Sequence, residues 1–260
     1  MKKKKIYSGL DTLCKEAIIK AGKISINLQK KLKIKYKSEN QPVTNADLEV
    51  NDFLKKYLKE VTPQYGWLSE ESIDDNSRNK LDSFWCLDPI DGTRSYIYGK
   101  PEFTISLALI TNNRPVLGFI YNPITEEFFF AKDKQGSFCN EKKIFVNKKK
   151  DIDKCSIAAS SSEIKRLEKY SFLKMKKIKK MGSIAYKIAL VAKGKIDVAI
   201  SFTKKNDWDL AAADLVLTEA GGEIKSISGD EIIYNTKNLL IDSVIASNSA
   251  IVEKLKETLK

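Results

Sequence analysis

The sequence predicts an α/β (α+β) protein, and three observations lead to this prediction. Apolar residues recur at helical spacing near the N-terminus, a series of short apolar strands follows, and strands alternate with helices in the last hundred or so residues. The chain has 260 residues, of which 42% are hydrophobic, and is therefore long enough to bury a substantial core.

Two amphipathic helices are predicted first. The segment 8–32 repeats apolar residues every three or four positions, which places them on one helical face. These residues are Leu10, Leu13, Ala17, Ile18, Ala21, Ile24 and Leu28. A second helix follows the sequence VTNAD, where Thr44, Asn45 or Asp47 provides a cap. Its apolar face carries Val50, Phe53, Leu54, Tyr57 and Leu58.

Five short strands are predicted next, at 66–69, 84–88, 103–111, 115–122 and 127–132. The polar turn TNNRP joins the third of them to the fourth and predicts a hairpin. The lysine-rich sequence NKKKDID at 147–153 then changes the composition of the chain. We expect it to separate an N-terminal α+β subdomain, 1–147, from a C-terminal α/β subdomain, 148–260.

The C-terminal half alternates strands with helices, a rhythm typical of α/β structure. The predicted strands are 156–160, 198–201, 224–226 and 243–246, and the predicted helices are 162–173, 183–192, 210–220 and 250–259. The chain contains no apolar run of about 18 residues, the length that a membrane span requires, and its N-terminal lysines precede no uninterrupted apolar segment. We therefore expect a soluble, cytoplasmic protein with no membrane partner.

The net charge is +12 and is unevenly distributed. Residues 1–37 hold 12 lysines against Asp11 and Glu16, whereas all the motifs described below lie in a part of the chain with net negative charge. The basic segments fit a solvated lysine-rich surface, or alternatively a nucleic-acid-binding protein. We do not expect nucleic acid as a partner, because Tyr7 and Tyr36 are the only aromatic residues among these lysines and no RNP, KH or zinc-finger pattern occurs.

Histidine is absent from the sequence. Its absence excludes the most frequent general base, the Ser-His-Asp triad and the commonest zinc ligand. The four cysteines, Cys14, Cys86, Cys139 and Cys155, lie far apart without CxxC spacing, so we expect them to be reduced and not to bind zinc. An enzyme of this composition must use carboxylates, hydroxyls, lysines and a hard metal ion.

Three acidic clusters lie at the ends of predicted elements. They are LSEES with Glu70 and Glu71, LDPIDGT with Asp88 and Asp91, and NDWDLAAAD with Asp207, Asp209 and Asp214. Carboxylates that converge from separate segments repel one another unless a cation neutralises them. Oxygen ligands favour Mg²⁺, Mn²⁺ or Ca²⁺, and Mg²⁺ is typical of phosphoryl-transfer sites. Each cluster alone also fits an ordinary turn, an acidic loop or a capped helix.

The sequence DPIDGT suits such a site residue by residue. Its proline stiffens the turn so that Asp88 and Asp91 face one point. The backbone carbonyl of Ile90 can offer a further oxygen ligand. Gly92 permits close backbone approach, and the amides that follow it, beside the Thr93 hydroxyl, predict a nest for phosphate oxygens.

These motifs resemble those of the inositol monophosphatase superfamily of Mg²⁺-dependent, lithium-sensitive phosphomonoesterases. WCLDPIDGT is similar to the first signature of that family, WDLAAADLVLTEAGG to the second, SEE to its metal-binding acidic loop and PVTNAD to an upstream segment, in the same order along nearly the whole chain. The resemblance implies a layered α/β/α/β/α sandwich with the site between two subdomains. It also implies a hydrolase that acts on a small phosphorylated metabolite, as a monomer or a homodimer.

The resemblance implies two or three Mg²⁺ ions in each site. Glu70, Asp88 and the carbonyl of Ile90 would hold the first ion. Asp88, Asp91 and Asp209 would hold the second, and Glu70 would bind a weaker third. Most of these ligands belong to the N-terminal subdomain.

The catalytic roles implied by the resemblance fall on three residues. Thr93, held by Asp47, and Glu70 would orient and deprotonate a metal-activated water for in-line attack on phosphorus, without a covalent intermediate. The substrate-binding residues would be Gly92, Thr93, Gly182 and Ser183. A catalytically silent regulator would lack one or more of these ligands, whereas here every one is present.

The substrate is the least determined feature. Members of the family act on inositol phosphates, fructose 1,6-bisphosphate, histidinol phosphate or adenosine 3',5'-bisphosphate. Where inositol monophosphatases place an acidic residue before the second signature, this chain has Phe202, followed by Lys204 and Lys205. An aromatic ring beside two cations suits a base and a second phosphate, although two surface lysines fit equally well. We predict a 3'(2'),5'-bisphosphate nucleotidase, with inositol-1-monophosphatase or a related sugar phosphatase as the alternative.

Overall fold

The computed structural model describes residues 9–167 and 178–259. The helices are α1 (Leu10–Gln29), α2 (Asn45–Val61), α3 (Thr93–Ile97), α4 (Ser161–Leu167), α5 (Ile184–Ala192), α6 (Asp207–Thr218) and α7 (Ser249–Leu259). The strands are β1 (Ile34–Ser38), β2 (Gln41–Thr44), β3 (Gly66–Ser69), β4 (Ser83–Asp91), β5 (Thr104–Thr111), β6 (Arg114–Asn122), β7 (Glu127–Lys132), β8 (Gly136–Cys139), β9 (Lys142–Lys143), β10 (Ile157–Ala159), β11 (Ile178–Lys180), β12 (Val198–Ser201), β13 (Lys205–Asn206), β14 (Glu223–Lys225), β15 (Leu240–Ile241) and β16 (Val244–Ser247).

Two mixed sheets dominate the architecture. The large sheet has seven strands in the order β3-β4-β5-β6-β7-β8-β9, in which β3 and β4 are parallel and the later neighbours antiparallel. The small sheet has five strands in the order β11-β10-β12-β16-β14. Two short two-stranded pairs, β1-β2 and β13-β15, complete the strand pairing of the described chain.

The layers follow from alternation along the strands, because successive side chains of a strand point to opposite faces. On β4, Trp85 and Leu87 pack against α1 and α2, whereas Phe84 and Cys86 pack on the opposite face with α5 and α6. The pair α5 and α6 also contacts the small sheet, whose far face is covered by α4 and α7. The predicted α+β class and the α/β/α/β/α layering are therefore confirmed.

Several element boundaries differ from those predicted. Helix α6 begins at Asp207 instead of residue 210, because Asn206 and Asp209 form a capping box that extends the first turn. Helix α2 begins after Thr44, which is one of the three predicted caps and makes the same kind of box with Asp47. Strand β4 continues through Asp91, and the predicted residues 168–173 of the helix at 162–173 lie outside the described part of the chain.

The subdomain division at 147–153 stays a prediction. The largest core cluster draws residues from both sides of it, among them Phe84 and Ile188. Among the described residues no helix is both long and apolar enough to cross a lipid bilayer. The cytoplasmic location and the oligomeric state also stay predictions.

Candidate active site

The end of β4 carries the two aspartates of DPIDGT. The strand pairs regularly with β5 as far as Asp88 and Ser106, and the register shifts before Asp91 meets Thr104. An irregularity of this kind turns the strand, so that two aspartates three positions apart face the same side. The amide of Ile90 donates to Asp88 Oδ1 at 3.0 Å, and the Ile90 side chain is buried in a small core.

Asp209 completes a group of three carboxylates. It lies in the first turn of α6, where the amide of Asn206 donates to its Oδ2 atom at 2.6 Å. Because α6 packs across the large sheet, this turn reaches the end of β4. Asp88, Asp91 and Asp209 each present an oxygen within 4.8 Å of the other two. The structure thus brings together three predicted metal ligands from two elements, β4 and α6.

These three carboxylates crowd negative charge into a buried space. Burial, followed by the charges of Glu70, Asp91 and Asp209, raises the pKa of Asp88 well above its ordinary value. Burial and Asp91 raise the pKa of Asp209 to about 7. Within the described ranges, no lysine or arginine forms an ion pair with any of the three. An all-oxygen group that lacks a cationic side chain fits a hard divalent cation such as Mg²⁺.

The N-terminus of α5 fixes the position of Asp91. The Ser183 hydroxyl donates to Asp91 Oδ2, and the Ala185 amide donates to the same oxygen at 2.6 Å. The Ile184 amide donates to Oδ1 at 3.3 Å. Burial raises the pKa of Asp91, and these hydrogen bonds and the nearby Lys187 charge oppose the rise. The hydroxyl of Ser183, a predicted substrate ligand, is therefore engaged with a carboxylate.

Thr93 and Asp47 form a second polar group beside the carboxylates. The Thr93 hydroxyl lies 3.3 Å from Asp47 Oδ1 and 3.2 Å from the carbonyl oxygen of Ile90, and its single proton is shared between these two acceptors. The other Asp47 oxygen accepts from the amide and the hydroxyl of Thr44 at 2.8 and 2.6 Å. Burial raises the pKa of Asp47 to about 6, although the Thr44 hydrogen bonds lower it.

Glu70 approaches the same place from the end of β3, where its amide donates to the carbonyl of Leu87 at 3.2 Å. Sequence reasoning did not single out its neighbour Lys37, which lies on β1. The Lys37 ammonium forms ion pairs with Glu70 at 3.1 Å and Glu71 at 2.5 Å. Burial raises the pKa of Glu71 to about 7, while Lys37 lowers it.

Gly92 sits where two parts of the chain approach each other. Its φ angle is +99°, and a Cβ atom there would lie 2.9 Å from the carbonyl oxygen of Glu102 and 3.3 Å from the backbone nitrogen of Ser183. A Cβ on Gly182 would collide with the hydroxyl of Ser95. Both glycines that were predicted to bind substrate therefore lie where a neighbouring part of the chain leaves no room for a side chain.

Replacement of Gly92 by Ala is expected to destabilise the protein by about 2 kcal/mol, because it adds backbone strain and a close contact. It should also displace Ser183 and so lower activity. Gly99 is a matched control, since its φ is +64° but a Cβ there meets no atom within 4 Å. Urea unfolding of Gly92→Ala and Gly99→Ala measures the free energy of unfolding that each variant loses. The Gly99 variant should lose only the part due to backbone strain, so equal losses in the two variants would contradict this account.

The residues predicted to select the substrate, Phe202, Lys204 and Lys205, have different neighbours. Phe202 packs against the core of the small sheet, and the Arg166 guanidinium lies 4.7 Å from its ring centre. The Lys204 ammonium lies 3.6 Å from Asp242. Lys205 is close enough for its charge to lower the pKa of Asp209. A substrate contact by this segment stays a prediction.

Comparison with known proteins places these features in a family. The chain matches the sequence profile of the inositol monophosphatase family over residues 8–260. It is 30% identical to a fructose-1,6-bisphosphatase/inositol-1-monophosphatase of Thermotoga maritima, with 82% of this chain and 84% of the relative aligned. It is 32% identical to a 3'(2'),5'-bisphosphate nucleotidase CysQ of Buchnera aphidicola, with 80% of each aligned. The crystal structure of the extragenic suppressor protein suhB of Bartonella henselae superimposes with a TM-score of 0.86 at 27% identity, covering 97% of this chain and 98% of that one.

Proposed function

The chain belongs to the inositol monophosphatase family, whose members are phosphatases, and on this basis we propose that it is a Mg²⁺-dependent 3'(2'),5'-bisphosphate nucleotidase. The observation that carries the metal-dependent chemistry is the convergence of Asp88, Asp91 and Asp209 within 4.8 Å. Asp88 and Asp91 are buried and Asp209 is half-buried, no described lysine or arginine forms an ion pair with them, and phosphoryl transfer needs a cation at such a place.

The residues that would hold the cations are Glu70, Asp88, the carbonyl of Ile90, Asp91 and Asp209. When bound, Mg²⁺ supplies Lewis-acid stabilisation of charge on the phosphoryl oxygens and lowers the pKa of water. The protein contributes fixed positions: Asp91 is held by the N-terminus of α5, and Asp209 by the first turn of α6. Pre-positioned ligands need little reorganisation during the reaction.

Thr93 and Asp47 position the attacking water. Asp47 is oriented by Thr44 and accepts from the Thr93 hydroxyl, so the lone pairs of that hydroxyl are directed away from Asp47. The Thr93 oxygen can then accept a hydrogen bond from the water and orient it, and the Glu70 carboxylate would take the proton that the water loses on attack. The amide-rich turn at Gly92 binds the phosphate oxygens.

The nucleotide specificity rests on two lines of support. Relatives named 3'(2'),5'-bisphosphate nucleotidase CysQ are 32% and 30% identical to this chain, and the charge of Lys205 reaches the carboxylate group. Relatives named inositol-1-monophosphatase and fructose-1,6-bisphosphatase/inositol-1-monophosphatase are 29% and 30% identical, which keeps an inositol or sugar phosphatase as the second candidate. Inhibition by lithium is expected for either activity.

The deciding experiment measures phosphate release at fixed Mg²⁺ from adenosine 3',5'-bisphosphate, inositol 1-phosphate and fructose 1,6-bisphosphate. We expect kcat/KM for the nucleotide to be at least about a hundredfold higher, which corresponds to about 2.7 kcal/mol of transition-state binding. Chelation of the metal should abolish all three activities. A preference for inositol 1-phosphate would retain the metal chemistry and refute the nucleotidase assignment.

A further inference from the structure

Arg78 is a buried arginine that lies close to the strand leading to Glu70. Its side chain is 3% exposed and belongs to a 3₁₀ turn, Ser77–Lys80, that precedes β4. This turn packs directly on β3, because a Cβ atom on Gly66 would lie 3.1 Å from the Arg78 Cα atom and 3.3 Å from its backbone nitrogen. The strand β3 ends immediately before Glu70, so the turn that carries Arg78 is fixed to the strand that places this predicted metal ligand.

The guanidinium of Arg78 contacts the acidic loop that begins with Glu70 and Glu71. Its Nε atom donates to Asp74 Oδ2 at 3.0 Å, and the two side chains form an ion pair. Its Nη1 atom donates to Asn79 Oδ1 at 3.2 Å. The ion pair with Asp74 thus ties this loop to the 3₁₀ turn.

The same guanidinium also reaches the first turn of α6. The Nη1 atom of Arg78 donates to Asn235 Oδ1, and the backbone amide of Asn235 donates to Asp207 Oδ2 at 2.6 Å. Asp207 is the first residue of α6, and the predicted metal ligand Asp209 lies two residues further in the same turn. These contacts form a continuous set of side chains, called the arginine network below, that consists of Asp74, Arg78, Asn235 and Asp207.

Asp207 is an unfavourable residue to bury at this position. It is fully buried, and its Oδ1 atom has no hydrogen-bond partner in the described part of the chain. Among the described residues no lysine or arginine forms an ion pair with it, and Arg78 is connected to it through Asn235. Well-packed apolar residues often stabilise a core as much as buried charges or more. Stability alone therefore gives no reason for this network.

We propose that Arg78 is a positioning residue that fixes the acidic loop and the first turn of α6 relative to each other. It acts on Glu70 and Asp209 through the arginine network, because no hydrogen bond or ion pair between described residues joins Arg78 to either of them. Residues that hold metal ligands in place typically change metal affinity or activity by about 10–100-fold when they are replaced. The inference rests on the proposed metal-dependent function, since Glu70 and Asp209 are ligands only in that proposal.

Two other roles for Arg78 fit its contacts less well. Direct binding of a substrate phosphate would need an accessible guanidinium, whereas this side chain is buried and its Nε and Nη1 atoms are engaged. Direct compensation of the clustered carboxylates would need an ion pair with one of them, and among the described residues Arg78 pairs with Asp74 instead. A role that acts through other residues agrees with both observations.

The test measures Mg²⁺ binding by the metal-free variant Arg78→Met, whose side chain keeps much of the length and loses every donor. By calorimetry, the Kd for Mg²⁺ is expected to rise at least about tenfold relative to the wild type. The Mg²⁺ concentration that gives half-maximal activity should rise by the same factor. At saturating Mg²⁺, kcat should stay within about threefold of the wild type, because bound cations draw the ligands together again. An unchanged Kd, or a kcat that Mg²⁺ does not restore, overturns the proposal.

Tyr234→Phe is the matched control, because it removes a buried hydrogen bond from the segment that carries Asn235. The Tyr234 hydroxyl donates to Asp214 at 2.9 Å, and neither residue belongs to the arginine network. Urea unfolding measures the stability that each variant loses. We expect Tyr234→Phe to lose stability and to keep the wild-type Kd for Mg²⁺. An equal rise of the Kd in both variants would mean that general loosening is the cause and would overturn the proposal.

A milder variant keeps the test decisive if Arg78→Met does not fold. Asp74→Asn changes a side chain that is 25% exposed and removes only the ion pair on the loop side of the network. It should raise the Kd for Mg²⁺ at least about threefold, and a Kd equal to that of the wild type would refute the positioning role.

Binding and turnover together separate failure of this inference from failure of the proposed function. Weaker Mg²⁺ binding by Arg78→Met, in a protein that prefers inositol 1-phosphate to adenosine 3',5'-bisphosphate, supports the positioning role and refutes the nucleotidase. Preference for the nucleotide, with equal Mg²⁺ affinities in the wild type and the variant, refutes the positioning role and retains the nucleotidase.

Discussion

Replacement of Asp88 by Asn is expected to lower kcat/KM at least about a thousandfold, equivalent to about 4 kcal/mol of transition-state stabilisation, without unfolding the protein. The side chain is buried and lies within 4.8 Å of both other clustered carboxylates, so it can contact any cation that they bind. An amide of the same shape lacks the negative charge and can offer only one oxygen. Turnover with a generic phosphomonoester at fixed Mg²⁺ measures the loss.

The stability of the same variant gives an independent result. Because Asp88 is repelled by Glu70, Asp91 and Asp209, its neutralisation should leave the metal-free protein as stable as the wild type or more so. Mg²⁺ at a hundred times its Kd should stabilise the wild type by about 2.7 kcal/mol, and the variant much less.

Asp214 supplies the matched control for the Asp88 variant. It is also a buried aspartate, but Thr218 and Tyr234 bond to it at 3.0 and 2.9 Å, and it is not one of the clustered carboxylates. Asp214→Asn should therefore keep the stabilisation by Mg²⁺. Near-normal activity of Asp88→Asn, or an equal response of both variants to Mg²⁺, would refute the proposed metal site.

The carboxylates could be predicted from the sequence because their signals are local. Asp88 and Asp91 follow an apolar run that must be a buried strand, and a proline between them interrupts regular pairing. Asp209 precedes the apolar helix LAAADLVL closely enough to lie in its first turn. Where buried elements carry carboxylates at their ends, a shared cation is the simplest way to compensate the negative charge.

Other features depend on contacts that no local pattern records. The strand β1 is exposed at all five positions, so it has no alternation of buried and exposed residues to reveal it. Lys37 on that strand pairs with glutamates 33 and 34 positions away. Tyr98 and Lys180 are likewise remote in sequence, yet they line the same cleft.

The affinity for Mg²⁺ is expected to increase with pH through the neutral range. Burial and the neighbouring charges raise the pKa of Asp209 to about 7 and that of Asp88 well above its ordinary value. Below these pKa values the metal-free protein holds protons on its ligands, and a cation must displace them. Since each displaced proton contributes up to about tenfold per pH unit, the apparent Kd should fall at least about tenfold from about pH 6 to about pH 8.

The metal-free protein should show the opposite trend in stability. A carboxyl group whose pKa is raised by folding stabilises the folded state only while it is protonated, so the free energy of unfolding should decrease as the pH rises from about 4, the unfolded value, to about 7.

Calorimetry in two buffers of different ionisation enthalpy measures the protons released on Mg²⁺ binding. Release of protons near about pH 6.5 that becomes smaller as the pH rises above about 7, the pKa of Asp209, is the expected result. An affinity independent of pH, with no proton release, would mean that the carboxylates are already ionised and that another cation compensates their charge.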